Sequence, residues 1–313
     1  MAETVKRFLI VNPVAGNIPS KAKIIDIQHH LREALGGNLE LIFTSRPEEA
    51  TKLTSDAIQA GAIAVFAAGG DGTINEVING FFAADQLINP VCKLGILNFG
   101  TGQGFAQSID YPIKLEEQVQ ILEQQNHMLI DVGRLEYRRP NGSIAVRYFI
   151  NECQLGIGAQ VVAKVKQGHK KLGGRLAFGL VTLREALSAP FYDLKISVDN
   201  GPPQKHELLG LAICNGSKMA AGMQLCPDAQ VNDQVFDLLL IKKMSVVQRL
   251  RNFPKIYTGQ HLNSSKFEII KARSLEVTAK SPVLVETDGE LLGMLPIKIE
   301  LMPQQIPIKF KSI

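Results

Sequence analysis

Four short apolar runs in the first 110 residues, RFLIVN, LELIFTS, AIAVFAA and KLGILNF, are each followed by a helical pattern, and this alternation constrains the chain most. Strand-helix units at such spacing connect by right-handed crossovers and build a mostly parallel sheet covered on both faces. Helices are expected from near Ser20 to Gly36-Gly37, after Pro47, after Gly72 and after Gly104. Ligands of such sheets gather at the carboxyl ends of the strands. The turns to read are therefore NPVAGN (12–17), TSRPEE (44–49), GGDGT (69–73) and NFGTGQG (98–104).

The pattern changes after about residue 128. LIDVGRLEY, IAVRYFINECQ, DLKISVD, ELLGLAICN, QVFDLLLI, SLEVTA and PIKIEL look like strands, several bounded by turn pairs such as Asn141-Gly142 and Asn200-Gly201. In IKIEL, Ile297, Ile299 and Leu301 alternate with Lys298 and Glu300, as in a strand with one wet face. This half reads as an antiparallel sandwich or partial barrel, interrupted by helical insertions near 160–188 and 245–259. A chain of 313 residues suggests two domains. They are expected at 1–128 and 129–303, with 304–313 returning to the first; no Pro/Gly/Ser-rich linker marks the join.

Composition excludes more than it identifies. Charged residues make up 20% and the formal net charge is +4, too mild a basic balance to argue for nucleic acid. No apolar run reaches the roughly 18 to 20 residues that span a bilayer. The start, MAETVKRFLIVNP, enters a strand without the marks of a signal peptide. Cys92, Cys153, Cys214 and Cys226 are far apart with no CxxC spacing, which fits neither a zinc site nor a disulfide framework. A reducing cytoplasm is the expected location, and the six histidines show no metal-ligand pattern.

AVFAAGGDGTINEVINGFF carries the clearest chemistry. Gly69-Gly70 would let a polyphosphate approach the backbone where a helix begins with free N–H groups, a place that favours anions. Thr73 and Glu76 have the spacing of a capping box, and Ile74, Val77, Ile78, Phe81 and Phe82 form an apolar stripe. Asp71 is harder to assign to packing. A carboxylate among phosphate-binding glycines repels a bare anion unless it holds Mg²⁺ directly or through water. Neither GxxxxGK[ST] nor GxGxxG is present.

GGDGTINEV together with NPVAG, FGTGQGFA, NGSKMAAGMQLCPDAQVNDQVFDLLLI and ETDGELLG, in that order over nearly the whole chain, resembles the diacylglycerol kinase catalytic family. The likeness is to its bacterial YegS-like lipid kinases, relatives of sphingosine and ceramide kinases. It implies a phosphofructokinase-like α/β domain with a mostly parallel sheet, a C-terminal β-sandwich, and transfer of the γ-phosphate of ATP, with Mg²⁺, to a lipid hydroxyl. By the same resemblance the nucleotide contacts would be Asn12, Thr44, Gly69, Gly70, Asp71, Gly72, Thr73, Asn75, Glu76, Gly100 and Thr101. Asp288 and Glu290 would be the catalytic carboxylates with Asp71, the glutamate taking the proton. Asp233, with the carbonyls of Gln230 and Val235, would bind a structural Mg²⁺.

Each assignment competes with a plainer one. Asn12-Pro13 also suits a strand-ending turn, and Asp288-Gly289 suits a hairpin turn, which could itself present Glu290 rigidly. Two departures from the family pattern stand out: Gln234 follows Asp233 where glycine is usual, and Gln103-Gly104 replaces an Asn-Asp pair. Lys164, Lys166, Lys170, Lys171 and Arg175 lead into an apolar helical pattern, which fits either a peripheral contact with an anionic membrane or a solvated face beside a packed helix. A lipid substrate at the inner membrane face is the expected partner, and a homodimer is open. NAD kinase, and a non-catalytic nucleotide- or lipid-binding relative, are the alternatives.

Overall fold

The computed structural model describes residues 5–168, 181, 183–185, 187–219 and 222–311. They divide into two compact units, the first comprising residues 1–106, 110–130 and 303–313, the second residues 107–109 and 131–302.

In the first unit the chain runs β1 (Lys6–Val11), α1 (Lys21–Ala34), β2 (Asn38–Phe43), α2 (Glu49–Gln59), β3 (Ala62–Gly69), α3 (Asp71–Asn79), a small β4 (Phe82–Ala83) and β5 (Gln86–Leu87) hairpin, β6 (Lys93–Asn98), α4 (Gly104–Ser108), α5 (Leu115–Glu123) and β7 (His127–Ile130). The final strand of the chain, β18 (Ile306–Lys309), joins this sheet, whose order is β2-β1-β3-β6-β18-β7. All neighbours are parallel except β18 and β7. The α1 boundary follows from local chemistry: the Ser20 hydroxyl accepts from Lys23 N–H at 3.3 Å, and Ile24, Ile27 and Leu31 form the buried stripe. Phe66, fully buried in β3, packs in a core with Leu9, Leu31 and Leu97. Burial of each such side chain contributes about 1.5–3 kcal/mol. Helix α3 stops at Asn79, so its buried stripe is Ile74, Val77 and Ile78; Phe81 lies beyond the helix and Phe82 belongs to the β4 hairpin.

The second unit contains β8 (Gly133–Arg138), β9 (Ile144–Phe149), β10 (Glu152–Gly156), α6 (Ile157–Gly168), β11 (Tyr192–Val198), β12 (Gln204–Cys214), β13 (Phe236–Lys242), α7 (Val246–Asn252), β14 (Phe267–Ala272), β15 (Ser274–Ala279), β16 (Leu284–Thr287) and β17 (Glu290–Leu301). Strands β10, β16, β17, β15, β11 and β12 pair antiparallel in turn, and β12 pairs back to β10, which closes a ring. The long strands β12 and β17 each serve two sets of partners, with register shifts between Leu208 and Gly210 and between Met294 and Ile297. Strands that change partners in this way turn the corner of a barrel-like sandwich. Its interior holds Phe149, Ile213, Phe236, Val277 and Ile299, all fully or almost fully buried.

IAVRYFINECQ, which reads as one strand, is two. The amides of Ile150, Asn151 and Glu152 all point to the Asp288 carboxylate, and this breaks the ladder between β9 and β10. All four cysteines are buried free thiols. Among the described residues no helix is long and apolar enough to cross a membrane.

Candidate functional site

At the carboxyl edge of the parallel sheet, β3 ends in Gly69 and α3 starts after Gly70, a residue with no side chain to cap it. The first-turn amides of a helix have no intrahelical acceptor, so this end is a natural place for an anion. Beside it lies the loop after β6. Phe99 N–H donates to Gly69 O at 2.7 Å, and Gly100 N–H to Asn98 Oδ1 at 3.1 Å. Asp71, half-buried, accepts from Gly104 N–H at 3.3 Å through Oδ2. Gly104, one of the two residues that depart from the family pattern, thus contributes its backbone to Asp71. Thr101 is exposed, with its methyl group next to Gly16.

Several side chains proposed as nucleotide contacts have partners within the protein. Asn12 Nδ2 donates to Thr73 Oγ1 at 3.0 Å, while its Oδ1 accepts from Val14 N–H at 3.1 Å. Thr44 donates to Val11 O at 3.4 Å, and Asn75 is buried, its carbonyl and side-chain oxygens accepting from Asn79. The expected capping box is absent from α3. Glu76 reaches instead to Ala50 N–H at 3.2 Å, in the first turn of α2, where a carboxylate is also favoured by the helix dipole. Thr73 sits in the first turn of α3, held by Asn12. One donor went unnoticed in the sequence: Asn98 Nδ2 is buried and has no partner among the described residues. The signal was Asn98 ending β6 just as Asn12 follows β1.

The donors here suit a polyphosphate: helix amides, glycine backbone and an unpaired buried amide side chain. Asp71 among them suits a metal ion that accompanies phosphate.

In the second unit, Asp288 and Gly289 form the two-residue turn between β16 and β17. Both have positive φ, 47° and 80°, the pairing that matches the twist of a hairpin. Asp288 is buried, and its carboxylate accepts from Ile150 N–H at 3.2 Å and from the N–H groups of Asn151 and Glu152 at 3.0 Å each. Its own N–H returns to Glu152 O at 3.0 Å. Fully buried Glu286 accepts from Gly289 N–H at 3.0 Å. Glu290 follows the locked turn and is partly exposed. Around the turn, Asn151 Nδ2 donates to Glu152 Oε2 at 2.9 Å and to Lys218 O at 3.0 Å, and Asn215 Nδ2 to Asp131 O and Ile150 O. Burial, aided by Glu286, Asp288 and Glu152, pushes the Cys153 thiol well above its ordinary pKa, which leaves it inert. The network around Asn151 and Asn215 was not legible beforehand, because asparagines that bond backbone leave no periodic signature.

An apolar cavity of about 90 Å³ is lined by Gln154, Val161, Met219, Met223, Met244 and Phe267 among others. Gln154 lies opposite Glu286 in the β10–β16 ladder, which brings cavity and acidic turn onto neighbouring strands.

Asp233, the one side-chain ligand proposed for a structural Mg²⁺, has partners within the protein. Asp233 Oδ1 accepts from Val235 N–H at 3.3 Å, and Oδ2 lies 3.4 Å from Lys271 Nζ. Gln230 is exposed. Among the described residues, no three His, Cys, Asp or Glu side chains group to hold a metal. An ammonium against the one carboxylate of the set does not fit a divalent ion. Lys164 of the basic segment pairs with buried Glu185 at 2.6 Å; Lys170, Lys171, Arg175 and the side chain of Lys166 lie outside the described residues.

Fold and site define a class: an α/β unit ending in paired glycine loops, followed by an antiparallel unit with an acidic hairpin. Residues 6–135 match the family described as diacylglycerol kinase catalytic domain, and residues 151–310 that described as YegS C-terminal NAD kinase beta sandwich-like domain. The chain belongs to this YegS-like diacylglycerol kinase family, and so to kinases with an alcohol acceptor. It is 28% identical over 300 residues to a diacylglycerol kinase of Staphylococcus haemolyticus, covering 96% of this chain and 86% of that one. A crystal structure of a diacylglycerol kinase from Bacillus anthracis superposes with a TM-score of 0.71 at 18% identity, covering 100% and 99%. Yeast NADH kinase complexed with NADH superposes at 0.57 with 13% identity, covering 99% and 85%; at such identities the likeness is one of fold.

Proposed function

We propose that the protein is an ATP- and Mg²⁺-dependent lipid kinase acting on a diacylglycerol-like lipid alcohol at a membrane surface. The observation that supports it best is Asp71 at the start of α3, within the GGDG turn and hydrogen-bonded to Gly104 of the loop after β6. The amides of α3 and Asn98 would bind phosphate oxygens, and Asp71 would hold Mg²⁺, which neutralises charge developing on the transferred group. Glu290 would accept the proton of the lipid hydroxyl as its oxygen attacks the γ-phosphorus and the bond to ADP breaks. Asp288, tied to three backbone amides, acts as a positioning residue for the turn that carries Glu290. The methionine-lined cavity suits part of an acyl chain, since thioether side chains adapt to irregular apolar shapes.

The test is incubation of the pure protein with γ-labelled ATP and Mg²⁺ against diacylglycerol, other lipid alcohols in mixed micelles, and NAD. Label in a lipid product supports the proposal. Label in NAD alone would replace it with a pyridine-nucleotide kinase, and ATP binding without transfer to anything would favour a binding protein.

A further inference from the structure

We infer that Lys271 takes the place of a structural divalent ion in the second unit, so that this unit folds without metal. The segment 228–237 carries Asp228, Asp233 and Asp237, whose mutual repulsion calls for a cation. Lys271 supplies it. The β13–β14 ladder places Lys271 directly opposite Asp237, and its Nζ lies 3.3 Å from Asp237 and 3.4 Å from Asp233. Strand register sets the backbone position, and from it the Lys271 side chain, about half exposed, reaches both carboxylates. Asp237 is buried and Asp233 partly so, and burial raises the Asp237 pKa while Lys271 opposes that rise.

The local backbone is completed without a metal as well. Asp233 Oδ1 closes a turn onto Val235 N–H, an arrangement aspartate makes with the residue two positions on. Gln234 N–H donates to Asp131 Oδ2 at 2.7 Å, and Asp131 N–H returns to Val231 O at 2.6 Å. A Mg²⁺ ion needs near-octahedral oxygen ligands at about 2.0–2.1 Å, which would bring it against the ammonium already on Asp233.

The test is thermal unfolding of the full chain, followed by circular dichroism without ATP or lipid, in EDTA and in millimolar Mg²⁺ at matched ionic strength. The wild type is expected to unfold at one midpoint in both. Lys271→Met is expected to lose about 2–4 °C in EDTA and to recover at least half of that in Mg²⁺, which the freed carboxylates would then bind. Lys271→Arg, which keeps the charge, is expected to stay within a degree or so of the wild type in both buffers. A wild type that loses stability in EDTA and regains it in Mg²⁺ would overturn the inference. So would Lys271→Met behaving as wild type, or Lys271→Arg becoming dependent on Mg²⁺. Since neither ATP nor lipid is present, the result does not depend on the kinase proposal.

Discussion

Gly70 and Gly100 meet back to back at the carboxyl edge of the parallel sheet. A Cβ on Gly100 would stand 2.7 Å from Gly70 Cα, and one on Gly70 would stand 3.1 Å from Gly100 Cα. Contact between the two glycine loops thus depends on the absence of both side chains. Gly100→Ala is expected to cost about 1–3 kcal/mol, since neither backbone can yield without moving a strand end. It should also weaken binding of a fluorescent ATP analogue at least tenfold, by parting the loops. Urea unfolding and a binding titration check the two effects, and a variant equal to wild type in both would show that the loops do not support each other.

Asp71→Asn is expected to keep the fold, because the amide oxygen can still accept from Gly104 N–H. What it loses is charge. Transfer of label from ATP should fall by about 10²–10³ or more, as when a group that stabilises transition-state charge is removed. Full activity with an unchanged requirement for Mg²⁺ would take Asp71 out of the mechanism.

The two hairpin carboxylates should separate cleanly. Asp288→Ala leaves three buried amides without an acceptor, and at about 1–3 kcal/mol for each unsatisfied group a loss of at least ~3 kcal/mol is expected. Glu290→Gln should leave unfolding within about 1 kcal/mol of wild type and reduce kcat by about 10²–10⁴, the range of a lost general base. Were Asp288→Ala stable and inactive while Glu290→Gln stayed active, the roles would be reversed.

Much of this could be read from residues alone, and what could not has identifiable causes. The strand-helix alternation, the Ser20 cap and the Asp288-Gly289 turn are local, so spacing and turn chemistry were enough. The split of IAVRYFINECQ was hidden because its cause, Asp288, lies more than a hundred residues away. For the same reason the capping-box spacing of Thr73 and Glu76 misled: each side chain found a partner on another element, Asn12 and Ala50. Lys271 opposite Asp237 is likewise a fact of strand register, which no single segment carries.

Gln234, at the position where the family pattern has glycine, sits in the left-handed region at φ 61°. A non-glycine residue there costs about 1–2 kcal/mol. Gln234→Gly is therefore expected to stabilise the protein by about 1 kcal/mol, after subtraction of the extra chain entropy of glycine in the unfolded state. The hydrogen bond from its N–H to Asp131 is untouched. Urea midpoints measure the difference; a destabilised variant would mean that the exposed glutamine side chain contributes more than its backbone costs.

Lys309 gives the protein a predictable response to alkaline pH. It is buried, donates to Leu122 O at 2.7 Å and also to Gln124 O, and so ties β18 to the carboxyl end of α5. Burial, with Lys93 and Arg7 adding repulsion, lowers its pKa to about 8. Between that value and the ordinary lysine value the unfolded chain binds more protons than the folded one, so stability rises with pH. Below pH 8 the full cost of a buried ammonium is present. Lys309→Met removes the titration, so the stability of wild type relative to this variant is expected to rise by about 2–3 kcal/mol from pH 7.5 to 10. Urea unfolding of both proteins across that range measures it. A difference that stays flat, or falls as pH rises, would show that Lys309 keeps its proton in the folded state.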